Sequence, residues 1–144
     1  MGQRHKAREF ALHGLYMFDT VSASIDRILS LDWVEEDVTD EARVFFKEIT
    51  KGTIDHINEI DDLIKKHSRN WSFERISAVD KSILRLSVYS MLYDKEVDPV
   101  ISINEGIELG KKFGGENSGN FINGILDAIR KNELSPKKNG GAKK

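Results

Sequence analysis

VDKSILRLSVYSML, residues 79–92, decides the fold. Val79, Ile83, Leu84, Leu86, Val88, Met91 and Leu92 fall around most of the circumference of a helix, not on one stripe. A helix that is apolar on nearly every side is buried among others, because no face of it can be left to water. Ser77-Ala-Val-Asp80 has the form of a capping box, so this central helix is predicted over roughly 77–95.

Working outward, residues 94–99 read as a loop. Ser102-Ile-Asn-Glu105 repeats the capping pattern and predicts a helix to about Phe113, stopped by Gly114-Gly115. Phe121, Ile122, Ile125, Leu126 and Ile129 define a last helix. Upstream, Ala7, Ala11, Leu15 and Phe18 share one helical face, and Ile25, Ile28 and Leu29 mark a short helix ending near Asp32 and Trp33. Thr39 or Asp40 is placed to cap a third helix. Its stripe of Phe46, Ile49, Thr53, Ile57, Ile60 and Ile64 predicts one unbroken helix to about His67. Trp71 and Phe73 lie in a connection with room for a helical turn. No strand pattern or internal repeat is present. The expected protein is all-α, with six or seven helices in two small packed bundles sharing the central helices. Residues 1–132 read as one domain and residues 133–144 as a basic, disordered tail.

Composition limits the chemistry. The 144 residues contain no cysteine, which excludes disulfides and thiol catalysis and removes the commonest structural zinc ligands. His5, His13, His56 and His67 are scattered without ligand spacing, the acids of 32–41 lack a calcium-loop pattern, and GGENSG lacks the form of a phosphate-cradling loop. An enzyme is not expected, nor a metal or cofactor. No apolar run reaches membrane-spanning length, so a cytoplasmic location is expected.

The net charge is −2, which argues against a protein that coats nucleic acid with its whole surface. The distribution is uneven. Arg4, His5, Lys6 and Arg8 precede the first acid, Glu9; residues 19–62 are acidic; and residues 130–144 are basic again. Cations in a first helical turn oppose the helix dipole, which makes the N-terminus a candidate phosphate-binding element as well as a candidate solvated end.

KKFGGENSGNFINGILD, residues 111–127, holds the second candidate. Gly114 and Gly115 allow a sharp turn with positive φ, and Asn117 or Ser118 can cap the next helix. Phe121, flanked by Asn117 and Asn120, suits single-stranded RNA, which is recognised by stacking on aromatic rings and by hydrogen bonds to splayed bases. By spacing alone Phe121 also fits the core stripe Phe121–Ile125–Ile129. Glu105 and Asn123 read as structural, one in a capping box and the other bonding backbone. Gly106, Gly110 and Gly124 read as sites of close helix packing.

Three stretches together resemble one family. INEGIELGKKFG followed by ENSGNFINGILD, VDKSILRLSVYSML, and RHKAREFALHGLY at 4–16 are similar, in order and spacing, to the motifs of the NusB family of bacterial transcription antitermination factors. The resemblance implies two helical bundles and a heterodimer with NusE, a small-subunit ribosomal protein. It also implies binding of boxA RNA in ribosomal RNA operon transcripts, with other Nus factors on RNA polymerase. It assigns RNA contact to the basic N-terminus (Arg4, His5, Lys6, Arg8) and to Phe121, beside Asn117 and Asn120. It assigns a separate, NusE-facing surface to Tyr16 and Asp80. Arg85 is left open between RNA contact and an internal salt bridge. Many relatives carry an acid where this chain has Asn117, and alanine where it has Gly106 and Gly110. A NusB-like domain also occurs ahead of a ribosomal RNA methyltransferase; the length of this chain leads us to expect the stand-alone factor. The alternative is a helical protein–protein module or homodimer without specific RNA binding.

Overall fold

The computed structural model describes residues 2–69 and 72–134. They form seven α-helices: α1 Gly2–Thr20, α2 Ile25–Ser30, α3 Asp40–Asp55, α4 Ile57–His67, α5 Ala78–Tyr93, α6 Pro99–Phe113 and α7 Ser118–Ile129. A 3-10 turn, Phe73–Arg75, precedes α5, and a π-helical turn, Arg130–Leu134, follows α7. No strand occurs among the described residues. The all-α expectation holds, and no helix among the described residues is long and apolar enough to cross a membrane.

Helix α5 is central, packing against α1, α3, α4, α6 and α7. On one side α1, α2 and α3 form a bundle with it; on the other, α4, α6 and α7 form the second. Its apolar girdle explains this position: Ile83, Leu84, Leu86, Val88 and Met91 are all buried. The Ser77 side chain accepts a hydrogen bond from the Asp80 N–H at 3.1 Å, the expected half of a capping box.

The two bundles are pinned by Arg85. Its Nε and Nη2 donate to the two Asp61 carboxylate oxygens at 2.8 and 2.9 Å, and its Nη1 donates to Asp19 at 3.2 Å. Burial opposes the guanidinium charge, but the two carboxylates outweigh it and hold its pKa above the ordinary value. Of the two roles left open for Arg85, the structure shows the internal ion pair.

Three boundaries differ from the sequence reading. The long third helix is two, broken at His56, whose φ of −109° and ψ of 20° leave the helical region. The apolar stripe runs through the break, with Thr53 and Ile60 both buried, so periodicity cannot detect it. Aromatic packing accompanies it. The His56 ring stacks on Tyr93 with centroids 4.1 Å apart, and a Cβ on Gly52 would overlap the Tyr89 ring. Burial and the Glu59 hydrogen bond push the Tyr93 phenol up to about 12.

The second difference is the start of α6. Asp98 caps it, accepting from the Val100 N–H at 2.9 Å, with Pro99 in the first turn. An Asp-Pro pair is a stronger start than the Ser102–Glu105 pattern, because proline lacks the N–H that a first turn leaves unpaired. Ser102 is instead buried inside the helix. The third concerns the expected tail. Glu133 and Leu134 belong to the fold, with Glu133 Oε2 3.0 Å from both His67 Nε2 and Lys66 Nζ. Residues 135–144, like Trp71, lie outside the described residues.

Candidate nucleic-acid and partner interface

The basic end of α1 packs beside the start of α6. His5 places Nε2 3.1 Å from Glu9 Oε2 and Nδ1 3.2 Å from Glu105 Oε1. Arg8 is buried, its Nη1 3.8 Å from Glu105, and Lys6 pairs with Glu36 at 3.3 Å. Arg4 is exposed, its guanidinium 4.3 Å from the Phe45 ring centroid; Arg8 lies 5.2 Å from the same ring. Burial lowers the Arg8 pKa, with Glu105 opposing and Arg4 assisting. Arg4, His5 and Arg8 line an open cleft of about 560 Å³, with Glu96, Val97, Ile101 and Glu105 on its other side.

Glu105 therefore ties α6 to α1 and does not complete a capping box. Lys112, which the sequence reading left unassigned, donates to buried Glu9 at 2.8 Å. Burial pushes the Glu9 carboxyl up, but the Lys112 hydrogen bond and the charges of Lys112, His5 and Lys6 outweigh it and hold it below its ordinary value. The run of cations from Arg4 to Arg8 is thus largely matched by acids that lie far away in sequence.

The second candidate region is the α6–α7 junction. Gly114 is extended (φ −93°, ψ −167°), and no described glycine has positive φ. The expected left-handed turn is absent. Glycine is needed for a different reason: a Cβ on Gly114 would overlap Ser118 Oγ, which accepts a hydrogen bond from the Gly115 N–H at 2.8 Å. Ser118 thus holds the junction closed, while the exposed Asn117 makes no capping hydrogen bond. Asn120 is also exposed.

Phe121 is half-buried and packs against the core, which the stripe Ile122, Ile125, Leu126 and Ile129 completes. Its ring borders two neighbouring clefts. One, of about 310 Å³, includes Arg75, Ser77, Asp80, Asn117 and Ser118. The other, of about 380 Å³, includes His67, Arg69, Asn120, Gly124 and Asn132. Phe121 thus packs on the core, as the stripe reading expects, and also walls both clefts.

Asp80 does not stand apart from the junction. It shares the first cleft with Asn117 and Phe121, and one carboxylate oxygen is buried without a hydrogen-bond partner. Tyr16, 41% exposed, lines another cleft with Leu12, His13, Val79 and Phe113. Val79 and Asp80, adjacent on α5, border the Tyr16 cleft and the Phe121 cleft respectively. Two further readings are corrected. The Asn123 side chain is exposed and bonds no backbone group among the described residues, and a Cβ on Gly124 would meet open space. Gly106 and Gly110 do mark close packing, since added Cβ atoms would come within 2.6 Å of Ser87 and 2.8 Å of Ile122.

Comparison with known proteins agrees with this geometry. Residues 5–131 match the family model described as the NusB family. Transcription antitermination protein NusB of Desulforapulum autotrophicum is 42% identical over 132 residues, covering 90% of this chain and 92% of that protein. The Leptospira biflexa protein of the same name is 42% identical over 137 residues, covering 95% and 98%. Among solved structures, T. maritima NusB superposes with a TM-score of 0.84 at 32% identity, covering 94% of this chain and 95% of that one. A chain from a crystal structure of antitermination factors NusB and NusE in complex with dsRNA superposes at 0.76 with 29% identity, covering 91% and 98%. The chain belongs to the NusB family of transcription antitermination proteins.

Proposed function

We propose that this protein is an RNA-binding antitermination factor that pairs with NusE and binds the boxA RNA of ribosomal RNA operon transcripts. Through that complex it would join other Nus factors on RNA polymerase. The observation that carries the reading is Phe121, an aromatic wall between two polar-lined clefts at a helix junction. Stacking on such a ring is tolerant of base identity, while Asn117 and Asn120 offer donors and acceptors to bases or ribose. Arg4, His5, Lys6 and Arg8 supply a second, electrostatic contact. Tyr16 and Asp80 face NusE beside the RNA surface. The solved relative in complex with NusE and dsRNA supports both partnerships.

One observation favours the rival reading of a protein–protein module: most of the N-terminal cations are matched by carboxylates. Binding to boxA RNA and to a scrambled RNA, with and without NusE, separates the two. An antitermination factor prefers boxA and binds it more tightly with NusE, because two weak surfaces joined act as one site. Equal binding of both RNAs, even with NusE, supports the module.

A further inference from the structure

Arg69 follows α4 and Arg75 closes the 3-10 turn before α5, and both are exposed. Among the described residues neither has a carboxylate within ion-pair distance. Each stands at the edge of a different cleft: Arg75 in the one with Asn117 and Asp80, Arg69 in the one with Asn120 and Asn132. The Phe121 ring is the wall between them. Two more cations flank the same connection. Lys65 and Lys81 lie 5.1 and 4.5 Å from the Phe73 ring centroid, held over an aromatic face and not against a carboxylate. The local acids do not cancel this charge. Asp61 is taken by Arg85 and Glu133 by Lys66 and His67, which leaves Asp62, Glu74 and Asp80 against the four cations.

We propose that Arg69 and Arg75 hold phosphates of an RNA strand that crosses Phe121 from one cleft to the other, with Lys65 and Lys81 extending the path along α4 and α5. The proposal rests on the RNA-binding reading and gives the junction its own phosphate contacts, independent of the α1 cations. The chemistry suits the arrangement. A guanidinium presents forked donors to phosphate oxygens, and it meets them without first leaving a carboxylate. Arg69 and Arg75 fix the strand on both sides of the ring, so the intervening bases are delivered to the stacking face and to the Asn117 and Asn120 amides. Phosphate contacts set position, and the ring and amides read the bases.

The test is the salt dependence of boxA RNA binding by the full chain, compared among the unaltered protein, Arg69→Gln, Arg75→Gln, the double variant, Phe121→Ala and Lys47→Gln. Lys47 is an exposed cation on α3 and serves as the charge control. Each arginine variant is expected to flatten the slope of log K against log salt by about 0.7, the contribution of one phosphate on a single strand. The double variant should bind boxA and scrambled RNA about fivefold or more weakly at ~0.1 M salt, because phosphate contacts carry no sequence information. Lys47→Gln should change neither quantity, and thermal transitions should be unmoved because both arginines are exposed. If the arginine variants keep slope and affinity while Phe121→Ala still loses binding, the phosphate path is wrong and the RNA reading stands. If they keep RNA binding but lose NusE, the arc is a protein-docking surface and the proposal is overturned. Absence of salt-dependent, Phe121-dependent binding in the unaltered protein overturns both.

Discussion

The two basic regions of the molecule have similar residue types and opposite electrostatic settings. At the start of α1, His5 is held between Glu9 and Glu105, Lys6 by Glu36 and Arg8 near Glu105. At the meeting of α4, α5 and α7, Arg69 and Arg75 have no carboxylate partner among the described residues, and Lys65 and Lys81 rest on Phe73. The first region is the one that stands out in the sequence, as a run of cations. The second is assembled from residues spread over 65–81 and faces the clefts of Phe121. A charge run counts cations; it does not show how many are available to a phosphate. A paired cation must exchange one anion for another, and the gain from a surface pair is only about 0–1 kcal/mol to begin with.

Changing how the cations are paired separates the two regions. The largest effect is expected where a cation is fully committed inside the fold. Arg85→Ala leaves Asp61 and Asp19 without their partner and should cost about 3–5 kcal/mol of stability, read as a lower denaturant midpoint. Retained stability would mean that the bundles are not held through this group. A smaller effect is expected at Glu105→Gln, which removes the acid shared by His5 and Arg8. RNA affinity should rise by about two- to fivefold as those side chains are released, with a stability loss of up to about 1 kcal/mol. A fall in affinity would show that Glu105 positions Arg8 for RNA. Asn117→Asp works in the opposite sense at the junction. It places a charge beside the first cleft and should weaken boxA binding by about two- to fivefold at matched salt. Equal affinities would remove Asn117 from the site.

The smallest effect is a pH dependence of the α1–α6 contact. The Glu9 carboxyl is held below its ordinary value, so its ion pair with Lys112 contributes stability above that ordinary value and loses it as pH falls through the lowered one. Unfolding of the unaltered protein should therefore become easier through the acidic range, and Glu9→Gln should flatten that dependence. Parallel pH profiles for the two proteins would count against the contact.

What was legible in the sequence follows from how local each signal is. Thr39 and Ser77 were readable as caps because each accepts from a backbone N–H three residues on. The α5 girdle was readable because burial on all sides leaves no polar face. The break at His56 was hidden because the apolar stripe keeps its phase across it, while the ring packing beside it involves Tyr89 and Tyr93 from α5. The α6 start was misplaced because Ser102 and Glu105 imitate a cap one turn inside the helix, although Asp98-Pro99 carried the stronger signal. At the site, the position of Phe121 beside polar groups was visible. The neutralisation of the N-terminal cations was not, since Glu36 and Glu105 come from distant segments. Arg69 and Arg75 were missed because no run or stripe contains them; their significance lies in which clefts they border.

The central claim is that RNA contact is made at the Phe121 junction, and the most direct measurement is boxA RNA affinity of Phe121→Ala against the unaltered protein across a salt series. The ring is uncharged, so the account predicts a loss of about 1–3 kcal/mol that is nearly constant with salt, with the fold retained. An unchanged affinity in a folded Phe121→Ala protein would contradict the account and leave the ring as part of the core alone.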